Sequence, residues 1–159
     1  MIIKMDTKKY GIKIIYIDDE DYNKIKKYVW FIKKLRSNYY AWSSIRINGK
    51  SKTIQMHQII MGNVKNKIID HKNMNGIDNR KCNLRFCTYS ENRMNTQARK
   101  DNKSGLKGVS FFKNINRWIA RIMITDKSIY LGCYKTAKKA HLAYCEAAKK
   151  YHGEFARTA

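Results

Sequence analysis

The chain has 159 residues, 43% hydrophobic and 12% aromatic, enough for one ordinary domain or two or three small modules with a buried core. Its 34 Lys and Arg stand against 12 Asp and Glu, a net charge of +22, which points to a polyanionic partner. No apolar run approaches the ~18 residues of a spanning helix and no basic amphipathic helix dominates, which argues against a membrane partner and for nucleic acid.

The opening MIIKMDTKKYG lacks the apolar core and small-residue cleavage site of a secretory signal, so the protein is expected to be intracellular. From Gly11 to Ile17, GIKIIYI is rich in β-branched residues and reads as a strand. DDEDYNKIKKYVW then offers acidic caps and apolar Tyr22, Ile25 and Val29 at helical spacing, which predicts a short helix. Residues 39 to 56 alternate around Asn48-Gly49, the dipeptide of a type I′ turn, and predict a hairpin whose edge carries Arg46, Lys50 and Lys52. These cations either touch phosphate or are simply solvated.

MHQIIMGN reads as a short helix ending at Gly62, with His57 as a hydrogen-bonded structural group. IIDH is a short strand, and NMNGIDNRKCN a turn-rich loop in which Gly76 is expected to supply positive φ. An extended LRFC follows. Thr88-Tyr89-Ser90-Glu91 fits a capping box, so a helix should begin near Tyr89 with Asn92 in its first turns.

The polar TQARKDNKSG, residues 96 to 105, reads as a linker. Beyond it LKGVSFF, NRWIARIMI and SIYLGCY are three short strands; Trp118, Ala120, Ile122 and Ile124 share one face of the middle strand, and Arg117, Arg121 and Met123 the other. TAKKAHLAYCEAAKKYHG closes as a helix capped by Thr136 and ended by Gly153, with Ala140, Tyr144, Ala147 and Tyr151 along one stripe. Cys82, Cys87, Cys133 and Cys145 form no CxxC pair and read as free thiols rather than a zinc ribbon or a disulfide framework.

Hydrolysis of a DNA phosphodiester needs a base to deprotonate water, a cation to hold the phosphate, and a group to orient the base. Histidine, with a pKa of ~6.5, suits the first task. A hard cation takes one or two oxygens from the protein and completes its shell with water and phosphate. In DHKNMNGIDNRKCNLRFCTYSEN, Asp70 offers a charged oxygen and Asn92 a neutral one, His71 the base, and Asn83 an acceptor for the other imidazole N–H. Neighbours at a strand end point oppositely, so Asp70 and His71 are placed to serve opposite sides of one phosphate. The plain alternatives are a loop cap at Asp70, a turn at Asn83 and an exposed helix residue at Asn92.

The spacing D-H-x11-N-L-x7-N, with the phrase GIDNRKCNLR, resembles the HNH endonucleases of the ββα-metal type, especially homing nucleases of phage introns, over residues 55 to 98. The resemblance implies His71 as general base, Asp70 and Asn92 as ligands of one Mg²⁺ or Mn²⁺, and Asn83 as the residue that orients His71. Asparagine at the third position, where many members carry histidine, implies loose metal binding completed by DNA. Arg85 either contacts phosphate or pairs with a nearby acid.

Residues 103 to 157, through KGV, RW.A.I, LG.Y.T, A..AY..AA and HGEFA, resemble the DNA-binding domain of plant ethylene-response factors, the apetala family, which also occurs fused to HNH nucleases of phages and mobile elements. By position the resemblance implies DNA contacts from Lys107, Arg117 and Arg121, with Lys113 on phosphate. Ser110 stands where a base-reading arginine is usual, and Phe111 and Phe112 replace polar positions, so no target sequence carries over.

The expected fold is therefore α+β: an N-terminal β-rich region with one short helix (1–54), a ββα-metal HNH core (55–98), a linker (99–105) and a three-stranded antiparallel sheet on one helix (106–159). The expected function is metal-dependent cleavage of double-stranded DNA by a monomer that nicks one strand, dimerisation being needed for a double-strand break, with no obligatory protein partner. Such an enzyme would work in the host cytoplasm or nucleoid. The alternatives are a DNA-binding regulator with an inactive nuclease fold, and an RNA-binding protein; most aromatic residues fall on expected core faces, which disfavours the latter.

Overall fold

The computed structural model describes residues 1–99 and 101–158. Two compact units emerge, Met1–Thr88 and Tyr89–Ala159. The division falls elsewhere than expected from sequence because the N-terminal strands and the 55–88 segment share one core: Ile15, Ile17, Ile25, Ile32, Ala41, Met56, Ile60 and Leu84 are buried together.

In the first unit, β1 (Ile2–Met5) pairs antiparallel with β2 (Lys13–Tyr16). The acidic 3-10 turn Asp19–Asp21 leads into α1 (Tyr22–Ile25), a single turn. Only Ile25 of the expected helical stripe is buried, and Val29 is 86% exposed. The helix stops because the Trp30 indole N–H donates to the Ile25 carbonyl at 3.0 Å, and the aromatic run from Trp30 joins a sheet instead. That sheet, unforeseen in its first strand, is β3 (Trp30–Leu35), β4 (Asn38–Ile47) and β5 (Lys50–Gln55), antiparallel and in that order. The hairpin turn is as expected: Ile47 pairs with Lys50, and Asn48 and Gly49 take φ of 49° and 75°. A capping box from Gln55 and Gln58 starts α2 (Met56–Met61), which ends at Gly62.

β6 (Ile68–His71) and β7 (Leu84–Cys87) form an antiparallel pair, with Asp70 opposite Arg85 and His71 opposite Leu84. The intervening loop is stitched to β2: Tyr16 N–H donates to the Ile77 carbonyl at 2.9 Å, and Asn79 N–H to the Tyr16 carbonyl at 2.8 Å.

The second unit opens with α3 (Tyr89–Met94), so the strand, loop, strand, helix order in the chain spans the two units. The segment expected as a linker contains a hydrogen-bonded turn: Asn102 Nδ2 donates to the Leu106 carbonyl at 2.7 Å, and the Asn102 side-chain oxygen accepts from Ser104 N–H at 2.9 Å. The strands β8 (Val109–Phe112), β9 (Arg117–Ile124) and β10 (Lys127–Tyr134) lie in the order β10-β9-β8 and carry α4 (Ala137–His152) on one face. Thr136 caps α4 by accepting from Lys139 N–H at 3.3 Å. Its buried stripe is Ala140, Tyr144, Ala147, Ala148 and His152, against Ala120 and Ile122 of the sheet; Tyr151 is 47% exposed and off the stripe. At Gly108, φ is +76° and a Cβ would stand 2.0 Å from the Tyr144 ring, so only glycine lets the strand entry pass under the helix. No disulfide joins any of the four cysteines. No described helix is long and apolar enough to cross a membrane.

Candidate functional site

Two places concentrate chemistry, one in each unit. The first surrounds the end of β6. Asp70 and His71 are both buried, at 7% and 5% exposure, and alternate across the strand as neighbours must. The Asp70 carboxylate is met by its cross-strand partner: Arg85 donates from Nε at 3.0 Å and Nη2 at 2.9 Å to Oδ2. Of the two positions open to Arg85 from sequence, the pairing with an acid is the one formed, and its side chain is only 10% exposed.

The His71 ring lies among His57, Tyr40 and Asn79. Its Nε2 is 3.3 Å from Asn79 Oδ1, and its ring centroid is 4.9 Å from that of His57 and 5.9 Å from that of Tyr40. Asn79 Nδ2 faces the Met56 sulfur at 3.6 Å, which turns the amide oxygen toward the imidazole. An acceptor there favours the tautomer that carries its proton on Nε2. Burial pushes the His71 pKa below the usual histidine value, against the opposing pull of Asn79, Asp70 and Asp78. The ring is therefore neutral at pH 7 and able to accept a proton.

Asn83, expected to orient His71, holds the loop instead. Its Oδ1 accepts from Asn73 N–H at 3.0 Å and its Nδ2 donates to the Asp78 carbonyl at 2.8 Å, so the amide is committed at both ends to the turn between β6 and β7. The orienting acceptor is Asn79, four residues earlier. Asp78, forked by Arg80 Nε and Nη2 at 2.8 Å each, has its pKa lowered chiefly by those hydrogen bonds and anchors Asn73 at 2.9 Å.

Gly76 was expected to supply positive φ, but Met74 does so, at 60°. What Gly76 provides is close approach: a Cβ would lie 2.3 Å from Tyr40 Cε1 and 2.6 Å from the Tyr39 carbonyl. The Asn38 side chain clamps the same loop, accepting from Gly76 N–H at 3.2 Å and donating to the Met74 carbonyl.

His57 was expected to be an ordinary hydrogen-bonded core group. It is buried, with a pKa lowered to about 3 by desolvation first and by His71 second, and its contacts are with the His71 and Tyr40 rings. Neither His57 nor Tyr40 had a motif to mark it. Asn79 did: it sits inside the DNR of GIDNRKCNLR.

Asn92 lies on α3 in the second unit, half-buried. Among the described residues no three His, Cys, Asp or Glu side chains converge as a metal cluster. The Asp70 carboxylate is by itself the kind of oxygen donor a hard cation takes.

The second place is the face of the C-terminal sheet turned away from α4. Register sets Phe112 beside Arg117, Ser110 beside Ile119, Tyr130 beside Arg121 and Ser128 beside Met123 on that face. Arg117 and Arg121 are exposed, as is Lys113 in the turn between β8 and β9. A hollow of about 580 Å³ runs along this unit, with Arg99, Lys103, Lys113 and Arg121 in its wall. Trp118 turns the other way and packs on Phe111, centroids 4.9 Å apart.

Lys107, for which the resemblance implies a DNA contact, is half-buried. Its ammonium donates to the carbonyls of Met94 and Thr96, at the C-terminal end of α3, where unpaired carbonyls favour a cation. Burial lowers its pKa to about 8, with Arg157 adding to the shift.

Residues 104–154 match the family model of the AP2 domain. No solved structure matches the chain. The match covers the sheet and helix just described, so the chain carries an AP2-type DNA-binding domain, and the outward arginines of its sheet lie within it.

Proposed function

We propose that the chain is a DNA endonuclease of the HNH type, hydrolysing a phosphodiester bond of duplex DNA to which the AP2 domain directs it. One observation carries this reading: the buried His71 imidazole at the end of β6, with Asn79 Oδ1 3.3 Å from its Nε2, beside a buried carboxylate. His71 Nδ1 takes the proton from the attacking water. Asn79 keeps the ring in the tautomer that makes this possible, and His57 and Tyr40 exclude solvent from its edges. Mg²⁺ or Mn²⁺, for which Asp70 offers a carboxylate oxygen, would supply positive charge against the phosphate and the leaving oxygen. Arg85 holds the Asp70 carboxylate in place and lies beside it as a second positive charge. With one such site per chain, a monomer nicks one strand.

A second reading is a DNA-binding regulator. It is favoured by the Asp70–Arg85 pair, which satisfies the carboxylate from within, and by the AP2 match, which accounts for DNA binding without catalysis. Supercoiled plasmid separates the two. Conversion to open circle that needs Mg²⁺ or Mn²⁺ and vanishes in EDTA and in His71→Ala supports the nuclease. Tight binding with no open circle under any divalent cation, in protein shown to be folded, supports the regulator.

A further inference from the structure

The charge of the chain is unevenly spread. Between Asp21 and Asp70 there is no Asp or Glu, and the sheet β3–β4–β5 lies wholly inside that interval with Lys33, Lys34, Arg36, Arg46, Lys50 and Lys52. Antiparallel register sorts its side chains by face. Ala41, Ser43, Ile32 and Trp30 turn inward to the core. The opposite face carries Phe31 beside Trp42, Lys33 beside Tyr40, and Arg46 beside Ser51.

Three properties of that outer face matter. With Lys34, Lys50 and Lys52 alternating to the other face, its cations are Lys33 and Arg46, and no acid on the sheet neutralises them. It carries a prepared geometry: Lys33 Nζ lies 5.4 Å over the Trp42 ring, which restrains the long side chain, and Phe31 beside it is 42% exposed. It also continues into the His71 site, since Tyr40 belongs to the same face of β4 and its ring stands 5.9 Å from that of His71. A cationic sheet face with short polar Ser44, Ser51 and Thr53 between its charges suits a phosphate backbone: the cations meet charge and the hydroxyls donate to phosphate oxygens.

We propose that the outer face of β3–β4–β5 is a second duplex-DNA docking surface, in which Lys33 and Arg46 hold backbone phosphates beside the His71 site. This rests on the DNA-binding reading above but not on hydrolysis. It assigns to the first unit a grip on DNA of its own, separate from the AP2 domain.

The test uses the full chain and random-sequence duplex DNA in EDTA, read by fluorescence anisotropy across a salt series. Lys33→Gln with Arg46→Gln should lower affinity about tenfold at low salt and reduce the slope of log K against log salt by about two, at ~0.9 per phosphate contact. Lys8→Gln with Lys9→Gln removes the same charge from the exposed turn between β1 and β2, and should leave the slope nearly unchanged. Lys33→Glu with Arg46→Glu should weaken binding further. Both sheet residues are exposed, so circular dichroism and melting should match the parent; if the Glu pair unfolds, the Gln pair decides. Equal effects from the two Gln pairs would overturn the proposal, as would a loss confined to RNA. Absence of DNA binding by the parent chain would sink the DNA reading with it, whereas normal binding in EDTA with no nicking after Mg²⁺ or Mn²⁺ is added would sink only the nuclease.

Discussion

The imidazoles of His57 and His71 meet edge to face, with centroids 4.9 Å apart and planes at 85°. Two histidines this close cannot both be charged, and burial makes charging either one unfavourable. The pair is thus a neutral aromatic contact whose members come from α2 and β6, and it fixes the approach of one to the other.

A pH dependence of stability follows from His57. Its folded pKa of about 3 lies below the ordinary 6.5 of the unfolded chain, so between these values the unfolded state binds more protons. Stability is full above the unfolded value and is lost as pH falls through the window, by at most ~1.4 kcal/mol per pH unit from this group. The lowered pKa of His71 acts in the same direction. Urea unfolding at several pH values should show a steep decline for the parent and a shallower one for His57→Gln; parallel curves would mean that His57 is readily protonated in the fold.

The ion pair of Asp70 and Arg85 is buried on both sides, at 8% and 10% side-chain exposure. Removing one partner of such a pair leaves a buried charge and costs ~3–5 kcal/mol. Arg85→Ala should lower Tm sharply, and millimolar Mg²⁺ should recover part of the loss if the Asp70 carboxylate is able to take a cation. An unchanged Tm with and without Mg²⁺ would show the pair to be dispensable and the carboxylate indifferent to metal.

Lys107 and Lys113 should part company on mutation. Lys107→Ala leaves the Met94 and Thr96 carbonyls without their donor, costing ~1–3 kcal/mol of stability in the second unit, with DNA affinity and its salt slope nearly intact in folded protein. Lys113→Ala should leave stability unchanged within ~0.5 kcal/mol and reduce the salt slope by about one. Melting curves and anisotropy titrations on the two variants check both halves.

Gly76→Ala would drive a methyl group into the Tyr40 ring and the Tyr39 carbonyl. Because the second obstacle is backbone, the loop must move, at a cost of ~1–3 kcal/mol. The same displacement shifts Tyr40 from His71, so on the nuclease reading proposed above nicking should fall more than DNA affinity does. Thermal melting and plasmid conversion measured together would reveal it; a variant with the parent's Tm and rate would refute the close-packing role.

The elements most legible in the sequence are those with a local cause. Asn48-Gly49 admits one tight turn, Thr136 and Gly153 bracket α4, and the alternation of β9 separates Arg117 and Arg121 from Ala120 and Ile122; each appears as read. What sequence conceals is decided by contacts distant along the chain. Val29 has helical spacing from Ile25, yet the Trp30 indole ends the helix and starts a strand. Ile2–Met5 becomes β1 only because β2 offers it an edge. The candidate site divides the same way. Asp70 and His71 stand adjacent on β6 and are plain to see, while the choice of Asn79 over Asn83 as the partner of His71 depends on how a loop of several asparagines distributes its amides. Spacing cannot rank four asparagines of equal chemistry. Lys107 illustrates the converse, a cation whose position in a motif suggests solvent and whose neighbours are two helix-end carbonyls.

Strand β4 is the longest strand of its sheet. Its pairings run without a register break from Asn38 to Ile47, so Tyr40 and Arg46 are separated by six residues of continuous extended backbone, roughly 20 Å at ~3.4 Å each. A duplex seated at Arg46 and cut beside Tyr40 would therefore be measured off against a stiff ruler. The offset between the protected border and the severed bond should be constant from one target to the next, whatever the base sequence.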